Sequence, residues 1–353
     1  MMKHNKKALI TGGCGYFGSV LTAHLAEQGY DCTVLDLYDT PQRPQNSTFI
    51  QGDIRNERDL AAALKGCDLV FHTVSQQPLA KDPALFESVN IGGTQALLKS
   101  CRAVGVQKLC YISSTSVYGI PDEDKLPVTE ETPCTPAEAY GRTKLAAEEL
   151  VKEAALQGLD SCIIRPRTIV GPGRLGIFSI LFDWIADGHN IPVLGRGDKL
   201  HQFIDAGDLA KASLLAALHE APGQCEVFNV GTSRFGTMRQ MLEEVCTHAG
   251  TGSKVKSVPF KPVQYAMRLT SALGLSPLAD YHWMMYGHAM YFSTDKLEKV
   301  LGFAPAISNT EMMCAAYDWY LEHRKSLHYR EGIGSPHQSN VKQKILNVAK
   351  HFF

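Results

Sequence analysis

Short apolar runs alternate with longer amphipathic segments through the first half of the chain. The apolar runs predict strands at residues 8–10, 32–35, 49–50, 69–71, 109–112 and 162–164. The segments between them predict helices at residues 16–28, 59–65, 85–104 and 137–157. Strands that lack a polar face are typical of parallel sheets that helices cover on both sides. The pattern therefore predicts an α/β fold with a doubly wound parallel sheet.

The alternation becomes irregular beyond Gly171, where prolines and glycines separate short elements. Two later runs, at residues 202–204 and 226–230, again predict strands, and we expect them to return to the main sheet. A second lobe should therefore be interleaved with the first domain rather than follow it. The expected divisions are a first domain at residues 1–171, a smaller lobe at residues 172–330 and a polar, basic tail at residues 331–353.

Charge is nearly balanced over the chain, with 35 lysines and arginines against 36 aspartates and glutamates. A net charge of −1 gives no general attraction to nucleic acid, so we predict no nucleic-acid partner. Basic residues gather in one amphipathic stretch of the tail, at residues 342–350. We favour a solvated helix there over a helix that binds a membrane surface or a protein partner.

Hydrophobic residues make up 44% of the chain, which is enough for a sizeable core and too much for a disordered protein. The ten cysteines are scattered without a C-x-x-C pair, which disfavours metal and redox sites and predicts reduced, buried thiols. The N-terminus lacks the apolar core of a signal peptide, and the most apolar window, residues 176–186, is too short to span a bilayer. We therefore expect a cytoplasmic protein with no metal and no transmembrane segment.

A glycine-rich loop joins the first predicted strand to the first predicted helix. Its glycines satisfy G-x-G-x-x-G through Gly13, Gly15 and Gly18, and they satisfy G-x-x-G-x-x-G when Gly12 is taken as the first. Glycine permits the tight turn and lets backbone N–H groups approach a pyrophosphate at the N-terminus of the helix. Because the loop has the strand–turn–helix context that the motif requires, it predicts a dinucleotide site.

Two aspartates follow later strands of the same domain: Asp36 ends the second strand, and Asp53 follows the third. A carboxylate in the first position can accept hydrogen bonds from the adenosine ribose and repels a 2′-phosphate. Asp36 therefore predicts NAD rather than NADP, with a surface turn as the alternative. Asp53 alone is typical of an Asx turn; in a dinucleotide fold it is placed to meet the adenine amino group, with Ile54 against the ring.

Tyr140 and Lys144 form a Y-x-x-x-K motif on a predicted helix, where the spacing puts both side chains on one face. A phenol with a pKa of ~10 is a poor base at neutral pH, but a neighbouring ammonium favours the phenolate. A shift of ~3 pKa units corresponds to ~4 kcal/mol, within the range of tuned catalytic bases. Ser114 lies in a hydroxyl-rich segment, residues 113–119, at a strand end where doubly wound folds bind ligands. A chance Tyr–Lys pair and simple turn chemistry are the alternatives.

Together these motifs resemble the extended short-chain dehydrogenases/reductases, in their NAD-dependent epimerase/dehydratase group, over about residues 7–324. The resemblance implies a Rossmann domain that binds NAD. It implies that Tyr140 is the acid/base, that Lys144 holds the nicotinamide ribose and lowers the pKa of the tyrosine, and that Ser114 binds the reacting oxygen. The cofactor-binding residues are then Gly12, Gly15, Tyr16, Phe17, Gly18, Asp36, Asp53, Ile54, Val74, Asn90, Tyr140, Lys144 and Pro166.

The two residues after Ser114 distinguish reactions within this group. Similar 4,6-dehydratases carry an Asp-Glu pair where Thr115 and Ser116 stand, and similar decarboxylases carry a glutamate in place of Ser116. Hydroxyls at both positions disfavour dehydration and decarboxylation. They are typical of 4-epimerases and also of simple alcohol or ketone oxidoreductases.

The substrate side departs from the nucleotide-sugar pattern. Many similar epimerases place an asparagine where Thr168 stands and a phosphate-binding arginine where His201 stands. The segment that begins at Arg165-Pro166 resembles members that act on steroids or other non-nucleotide alcohols. Nearby arginines, and His201 when protonated, could still bind phosphate, with solvated surface side chains as the alternative. The predicted substrate-binding residues are Thr115, Arg167, Thr168, Arg174, Arg196 and His201.

We therefore predict an NAD-dependent nucleotide-sugar epimerase, in its simplest form a 4-epimerase that works by transient oxidation to a keto intermediate. The alternative is an oxidoreductase of the 3β-hydroxysteroid dehydrogenase kind, whose substrate is a hydrophobic alcohol or ketone. An NAD-binding protein without activity is a third class, which the complete set of Ser114, Tyr140 and Lys144 argues against.

A homodimer is predicted from two of the helices, at residues 85–104 and 137–157. Both carry apolar residues on more than one face, and related enzymes pair two such helices from each subunit into a four-helix bundle. The alternative is that these faces only cover the sheet. The residues concerned are Leu97, Leu98, Val104, Leu145, Ala146, Leu150 and Val151.

Overall fold

Every strand predicted for the first half is present in the computed structural model, which describes residues 6–76, 83–221, 223–259, 261–263, 265 and 287–327. The basic stretch of the tail lies outside the described residues. In chain order the strands are β1 (Lys7–Thr11), β2 (Asp31–Asp36), β3 (Thr48–Gln51), β4 (Leu69–His72), β5 (Lys108–Ile112), β6 (Ser161–Pro166), β7 (Ile169–Val170), β8 (Ile191–Leu194), β9 (Leu200–His201), β10 (Ile204–Asp205), β11 (Cys225–Val230), β12 (Gly236–Thr237) and β13 (Val255–Val258).

The predicted helices are present with ends that differ by a few residues, and the second half adds more. They are α1 (Tyr16–Glu27), α2 (Glu57–Ala63), α3 (Pro83–Phe86), α4 (Thr94–Val104), α5 (Ala139–Leu156), α6 (Ile177–Ala186), α7 (Ala206–Leu218), α8 (Met238–Ala249), α9 (Asp295–Leu301) and α10 (Asn309–His323).

Seven parallel strands form the central sheet, in the order β11-β6-β5-β4-β1-β2-β3. Strands β4, β5 and β6 are buried along their whole length, which explains why their sequences are apolar without alternation. Helices α1 and α7 pack on one face, and α2, α4 and α5 pack on the other. The structure confirms the predicted doubly wound α/β class.

The second half of the chain returns to this sheet at one of the two predicted places. Strand β11 pairs with β6 in parallel, with Phe228 beside Ile164. The prediction for residues 202–204 was wrong: β9 and β10 flank Gln202 and belong to separate two-stranded sheets. The Gln202 amide donates to the Thr232 carbonyl at 2.8 Å and accepts from the Phe292 N–H at 2.9 Å. These side-chain bonds hold Gln202 between the two short strands.

The helix predicted at residues 85–104 is interrupted by a π-helical turn, Glu87–Gly93. Asn90 sits in this turn, and the Thr94 hydroxyl donates to its carbonyl at 2.7 Å. π-Helical turns insert a residue into the helical register and occur often at functional sites. Here the buried side-chain amide of Asn90, in the π-helical turn, points toward α5, where it donates to Thr143.

A second core lies among α6, α8 and α10, around Phe182, Met241 and Tyr317. It belongs to the segment assigned to the smaller lobe, whose boundaries stay a prediction. Among the described residues no helix is long and apolar enough to cross a membrane, and no group of acidic, histidine or cysteine side chains is arranged to hold a metal ion. All ten cysteines are free thiols.

Candidate active site

The glycine loop between β1 and α1 is closed too tightly for side chains. A Cβ atom on Gly18 would lie 2.1 Å from the Gly12 carbonyl oxygen, and one on Gly12 would lie 3.0 Å from the Val74 nitrogen. Gly12 also has a φ of +74°, which favours glycine. Helix α1 begins here without a side-chain cap and without an acidic residue in its first turn, so its N–H groups suit an anion such as a pyrophosphate.

Tyr16 and Phe17 open α1 and face different surroundings. The Tyr16 ring is buried, and its hydroxyl has no hydrogen-bond partner within the described chain. A buried hydroxyl of this kind is a candidate donor to a bound ligand. The Phe17 side chain instead joins the core beside Leu21 and Ile10, so only its backbone is available to the predicted cofactor.

Asp36 ends β2 beside the glycine loop. Its carboxylate accepts from the Cys14 N–H at 3.0 Å and from the Leu37 N–H at 2.8 Å. Burial raises the pKa of Asp36, and these backbone donors oppose that rise. The nearby Arg43 guanidinium is bound to Asp39 through two bonds of 2.7 and 2.9 Å. The basic side chain closest in sequence is therefore already engaged with a carboxylate.

We expect NADP to bind with a dissociation constant ~10–150-fold above that of NAD. Desolvating a 2′-phosphate beside the Asp36 carboxylate should cost ~1–3 kcal/mol. Calorimetric titration of both dinucleotides measures the ratio, and Asp36→Asn should narrow it. Equal dissociation constants in the unaltered protein would contradict the prediction.

Asp53 and Ile54 lie at the far end of the predicted cofactor site. Asp53 forms an Asx turn, because it accepts from the Arg55 N–H at 2.9 Å, and its carboxylate also binds the Arg55 guanidinium at 2.5 Å. This hydrogen-bonded arginine lowers the pKa of Asp53. Ile54 is buried against Gly93 of the π-helical turn. The contact of both residues with adenine stays a prediction.

Asn90 connects three parts of the site. Its Oδ1 accepts from the Gln76 N–H at 2.7 Å, and its Nδ2 donates to the Thr143 hydroxyl at 3.0 Å. Thr143 in turn donates to the Tyr140 carbonyl at 3.0 Å. The buried amide therefore braces the first turn of α5, which carries Tyr140, and the predicted contact of Asn90 with the cofactor stays a prediction.

The hydroxyl segment after β5 forms a short 3₁₀ turn, Thr115–Tyr118. Ser114 caps it by accepting from the Ser116 N–H at 3.1 Å, which leaves its hydroxyl hydrogen available to donate. The Thr115 hydroxyl instead donates to the Pro166 carbonyl at 3.3 Å. The contact of Ser114 with a reacting oxygen stays a prediction, and the predicted substrate contact of Thr115 has no support from this geometry.

Lys144 is buried one helical turn after Tyr140 on α5. Its ammonium donates to the Ile112 carbonyl at 2.8 Å and lies 4.8 Å from the centre of the Tyr111 ring. Burial lowers the pKa of Lys144 to about 7, and the Glu148 carboxylate opposes that change. The predicted Tyr–Lys pair therefore shares one helix, as the spacing requires, with the lysine anchored beneath the strand end that carries Ser114.

A buried polar network that the sequence analysis missed surrounds this lysine. Glu148 binds Arg165 at 2.5 Å, and Arg165 donates to the Tyr118 hydroxyl at 2.7 Å, which donates to Asn229 at 2.8 Å. The signal was the spacing Tyr140, Lys144, Glu148, which places a third polar residue on the same helical face. An acidic residue such as Glu148 is rarely fully buried unless it is paired, so its position on this face indicates a buried partner.

His72 ends β4 below the same site and was likewise not assigned a role. Its Nδ1 lies 2.8 Å from the Thr11 hydroxyl, and its Nε2 lies 3.0 Å from the Thr94 hydroxyl. Because Thr94 already donates to a carbonyl, we assign the proton of His72 to Nε2. Burial, helped by the charge of Lys144, lowers the pKa of His72 to about 3, so this imidazole is neutral and structural.

Arg167 and His201 form a buried pair where β6 ends. Arg167 donates to His201 Nε2 at 3.2 Å and to the Thr168 hydroxyl at 3.3 Å, and its guanidinium lies 5.7 Å from the centre of the Phe292 ring. Burial and the charge of Arg167 hold the pKa of His201 well below its ordinary value. These surroundings disfavour the protonated form of His201 that phosphate binding would need and favour the alternative of a plain polar histidine at a strand end. A role of His201 in substrate binding stays a prediction.

The other two predicted arginines lie in different places. Arg174 donates to the Ile169 carbonyl at 3.1 Å, and its guanidinium lies between the rings of Tyr16 and Phe178 beside the glycine loop. Arg196 is exposed on the rim of a cavity of about 180 Å³. The cavity is lined by Leu194, Gly195, Arg196, Gly197, Asp198, Lys199, His201, Met238 and Gly287. The structure thus brings Arg196 and His201 to one cavity and keeps Arg174 apart from it.

The chain is similar to known proteins along most of its length. A protein of Sinorhizobium fredii, named only as uncharacterized, is 48% identical over 97% of this chain and 85% of its own. Sterol-4-alpha-carboxylate 3-dehydrogenase of Mus musculus is 30% identical over 87% of this chain and 88% of its own. UDP-glucose 4-epimerase of Streptomyces lividans is 27% identical over 90% and 97%.

The solved structures that resemble this fold include epimerases. UDP-glucose 4-epimerase of Thermotoga maritima superposes with a TM-score of 0.76 at 23% identity, over 91% of this chain and 100% of that one. The family model of the NAD dependent epimerase/dehydratase family matches residues 8–231. That match spans the glycine loop, Asp36, Ser114, Tyr140 and Lys144, whose arrangement fits NAD. The chain therefore belongs to the NAD-dependent epimerase/dehydratase family, and NAD is its cofactor.

Proposed function

We propose that the protein is a nucleotide-sugar 4-epimerase, in which a sugar hydroxyl is oxidised to a ketone and then reduced on the opposite face. The observation that carries this proposal is the set of Ser114, Tyr140 and Lys144 at one end of the sheet, with hydroxyls and no carboxylate in the segment 114–119. Hydroxyls at the positions where similar dehydratases carry carboxylates suit reversible oxidation rather than elimination of water.

Bound NAD supplies the hydride acceptor of the first half-reaction and the donor of the second. Tyr140 takes the proton of the substrate hydroxyl and returns it to the reduced product. The positive charge of Lys144 favours the tyrosinate form of Tyr140. The same ammonium binds the nicotinamide ribose. Ser114 donates a hydrogen bond to the reacting oxygen, with its own orientation set by the Ser116 N–H.

The cavity in the smaller lobe supports a phosphorylated substrate. Arg196 and Lys199 line it, with Arg196 3.6 Å from Asp198, which also lines the cavity, and Lys199 held by Glu123 at 2.6 Å. Exposed basic side chains can follow a diphosphate as it enters. Relatives whose names state UDP-glucose 4-epimerase activity add weight to this choice of substrate.

One observation favours a second candidate, an oxidoreductase of the hydroxysteroid kind. At His201, where many similar epimerases carry an arginine, the chain holds a neutral, buried imidazole. A neutral imidazole provides no positive charge to bind a diphosphate. The relative that is 30% identical is named as a sterol-4-alpha-carboxylate 3-dehydrogenase.

Incubation with NAD and candidate substrates separates the two functions. With UDP-, GDP- or dTDP-sugars, an epimerase converts one sugar into its 4-epimer while the amount of reduced NAD stays constant. With sterols, an oxidoreductase forms reduced NAD in proportion to ketone. Tyr140→Phe should abolish either signal. Reduced NAD formed in proportion to a sterol ketone, with no sugar epimerised, would overturn the epimerase proposal.

We also propose a homodimer and a cytoplasmic location. Free thiols and mostly buried cysteines support the latter. For the dimer, Leu97, Leu98 and Val151 give no support, because they pack beneath the sheet. Support comes from two exposed apolar residues that a partner subunit could cover. Val104 is 51% exposed at the end of α4, and Leu156 is 81% exposed at the end of α5.

Light scattering at micromolar concentration is expected to give twice the monomer mass. Leu156→Glu should shift the protein toward the monomer, because the charge would lie in the paired helices. A monomeric mass for the unaltered protein would contradict the dimer.

A further inference from the structure

Glu148 is completely buried one helical turn beyond Lys144 on α5. Its carboxylate accepts from the Ser113 hydroxyl at 2.5 Å and from two nitrogens of Arg165, Nε at 2.9 Å and Nη2 at 2.5 Å. Ser113 immediately precedes Ser114, and Arg165 immediately precedes Pro166. A single carboxylate therefore ties α5 to the ends of β5 and β6 beside the site.

Glu148 lies four residues after Lys144 on α5, a spacing that brings two side chains onto neighbouring positions of one helical face. The other surroundings of Lys144 disfavour its positive charge. Lys144 is 1% exposed, and its hydrogen bond to the Ile112 carbonyl is a neutral contact. The Tyr111 ring offers a further weak attraction to the ammonium. Burial pulls the pKa of Lys144 down to about 7, and the charge of Glu148 acts in the opposite direction.

Other titratable groups around Lys144 do not replace this negative charge. From β4, His72 is neutral, since burial lowers its pKa to about 3. From β5, burial raises the pKa of Tyr111, so its phenol keeps its proton. From β6, Arg165 adds a positive charge, and Tyr140 of α5 is uncharged until it gives up its proton. Among these groups the negative charge comes from Glu148.

We propose that Glu148 is a positioning residue of the reaction, which keeps Lys144 in its charged form and fixes the strand ends of Ser114 and Pro166 against α5. The inference rests on the proposed function, because Lys144 must be an ammonium to favour the tyrosinate. Glu148 touches no reacting atom and acts through Lys144. A purely structural ion pair with Arg165 would hold the fold together without changing the charge of the lysine.

The decisive measurement is the pH at which Lys144 loses its proton in the NAD complex. A lysine side-chain NMR resonance reports this, identified by its loss in Lys144→Met. In Glu148→Gln we expect this titration to move down by about one pH unit, because an opposite charge has been removed. The alkaline limb of turnover should move down with it, since activity is lost as pH rises through the pKa of the ammonium. KM should change less than kcat.

Two variants separate this effect from loss of the fold. Glu149→Gln is the matched control, because Glu149 is the exposed neighbour of Glu148 and binds only Lys152 in the described chain. Its titration and turnover should equal those of the unaltered protein. The double variant Glu148→Leu/Arg165→Met removes both buried charges and should fold, since apolar replacement of a buried ion pair is often neutral. Its titration should move down less than that of Glu148→Gln, because the charge of Arg165 is gone too.

An unchanged Lys144 titration in folded Glu148→Gln, or a titration in the double variant equal to that in Arg165→Met alone, would overturn the inference and leave Glu148 as a structural residue. Failure of the proposed function has a different signature. The Lys144 titration would move as expected while the alkaline limb of turnover stayed in place, which would show that the charge of Lys144 does not serve the reaction.

Discussion

Tyr140→Phe is expected to lower turnover by ~10²–10⁴-fold, the usual contribution of a positioned proton-transfer group. Affinity for NAD should change little, because the ring and its packing remain and only the hydroxyl is lost. The backbone brace through Thr143 and Asn90 involves the Tyr140 carbonyl and is also retained. Steady-state kinetics and calorimetric titration of NAD measure the two quantities separately.

The pH profile gives this prediction a second test. Activity of the unaltered protein should rise with pH as Tyr140 loses its proton, through an apparent pKa well below the ~10 of free tyrosine. That limb should vanish in Tyr140→Phe. Tyr317→Phe is a suitable control for general loss of a phenol, because Tyr317 lies in the second core and its hydroxyl has no hydrogen-bond partner within the described residues. If Tyr140→Phe has a turnover close to that of the unaltered protein, and the rise of activity with pH is unchanged, the proposed mechanism is wrong.

Lys144→Met is expected to do more damage than the loss of the tyrosine hydroxyl. Methionine fills a similar volume, but it lacks the ammonium that favours the tyrosinate and that is placed to bind the nicotinamide ribose. Turnover should therefore fall by at least ~10²–10⁴-fold, and the dissociation constant of NAD should rise by ~10-fold or more, the value of one charge-assisted hydrogen bond.

Lys152→Met is the matched control, since Lys152 lies two turns further along α5 and pairs with Glu149 at 2.8 Å near the surface. It should leave both quantities close to those of the unaltered protein. Thermal unfolding of both variants separates loss of function from loss of fold. If Lys144→Met binds NAD as tightly as the unaltered protein, the ribose contact must belong to another residue.

The candidate site could be located in advance because its signals are local. The glycine loop needs glycine wherever a Cβ would strike backbone, as at Gly18, and such positions are fixed by the turn itself. Tyr140 and Lys144 lie on one face of α5 because a helix brings residues four apart onto the same side. The parallel strands were found because burial on both faces leaves an uninterrupted apolar run in each of β4 to β6, with polar residues only near the strand ends.

The charge states of the site could not be predicted in the same way. The phosphate-binding role considered for His201 requires a protonated imidazole, but in the fold Arg167 lies against this histidine and helps to lower its pKa. Arg174 and Arg196 are both arginines in the second half of the chain, but the fold separates them. Arg174 lies near the rings of Tyr16 and Phe178 beside the glycine loop, and Arg196 lies on the rim of the cavity. Residue type gives no information on such neighbours.

The sequence by itself determined the fold class, the dinucleotide loop and the Tyr140–Lys144 pair, because each depends on contacts within one turn, one helix or one strand. Only the tertiary structure decided that Glu148, Arg165 and Ser113 meet, that residues 202–204 leave the sheet, and that a π-helical turn aims Asn90 at α5. The physical reason is that the burial and the charge of one residue depend on groups that are distant in the chain. Packing brings these groups together, and a local sequence pattern contains no information about them.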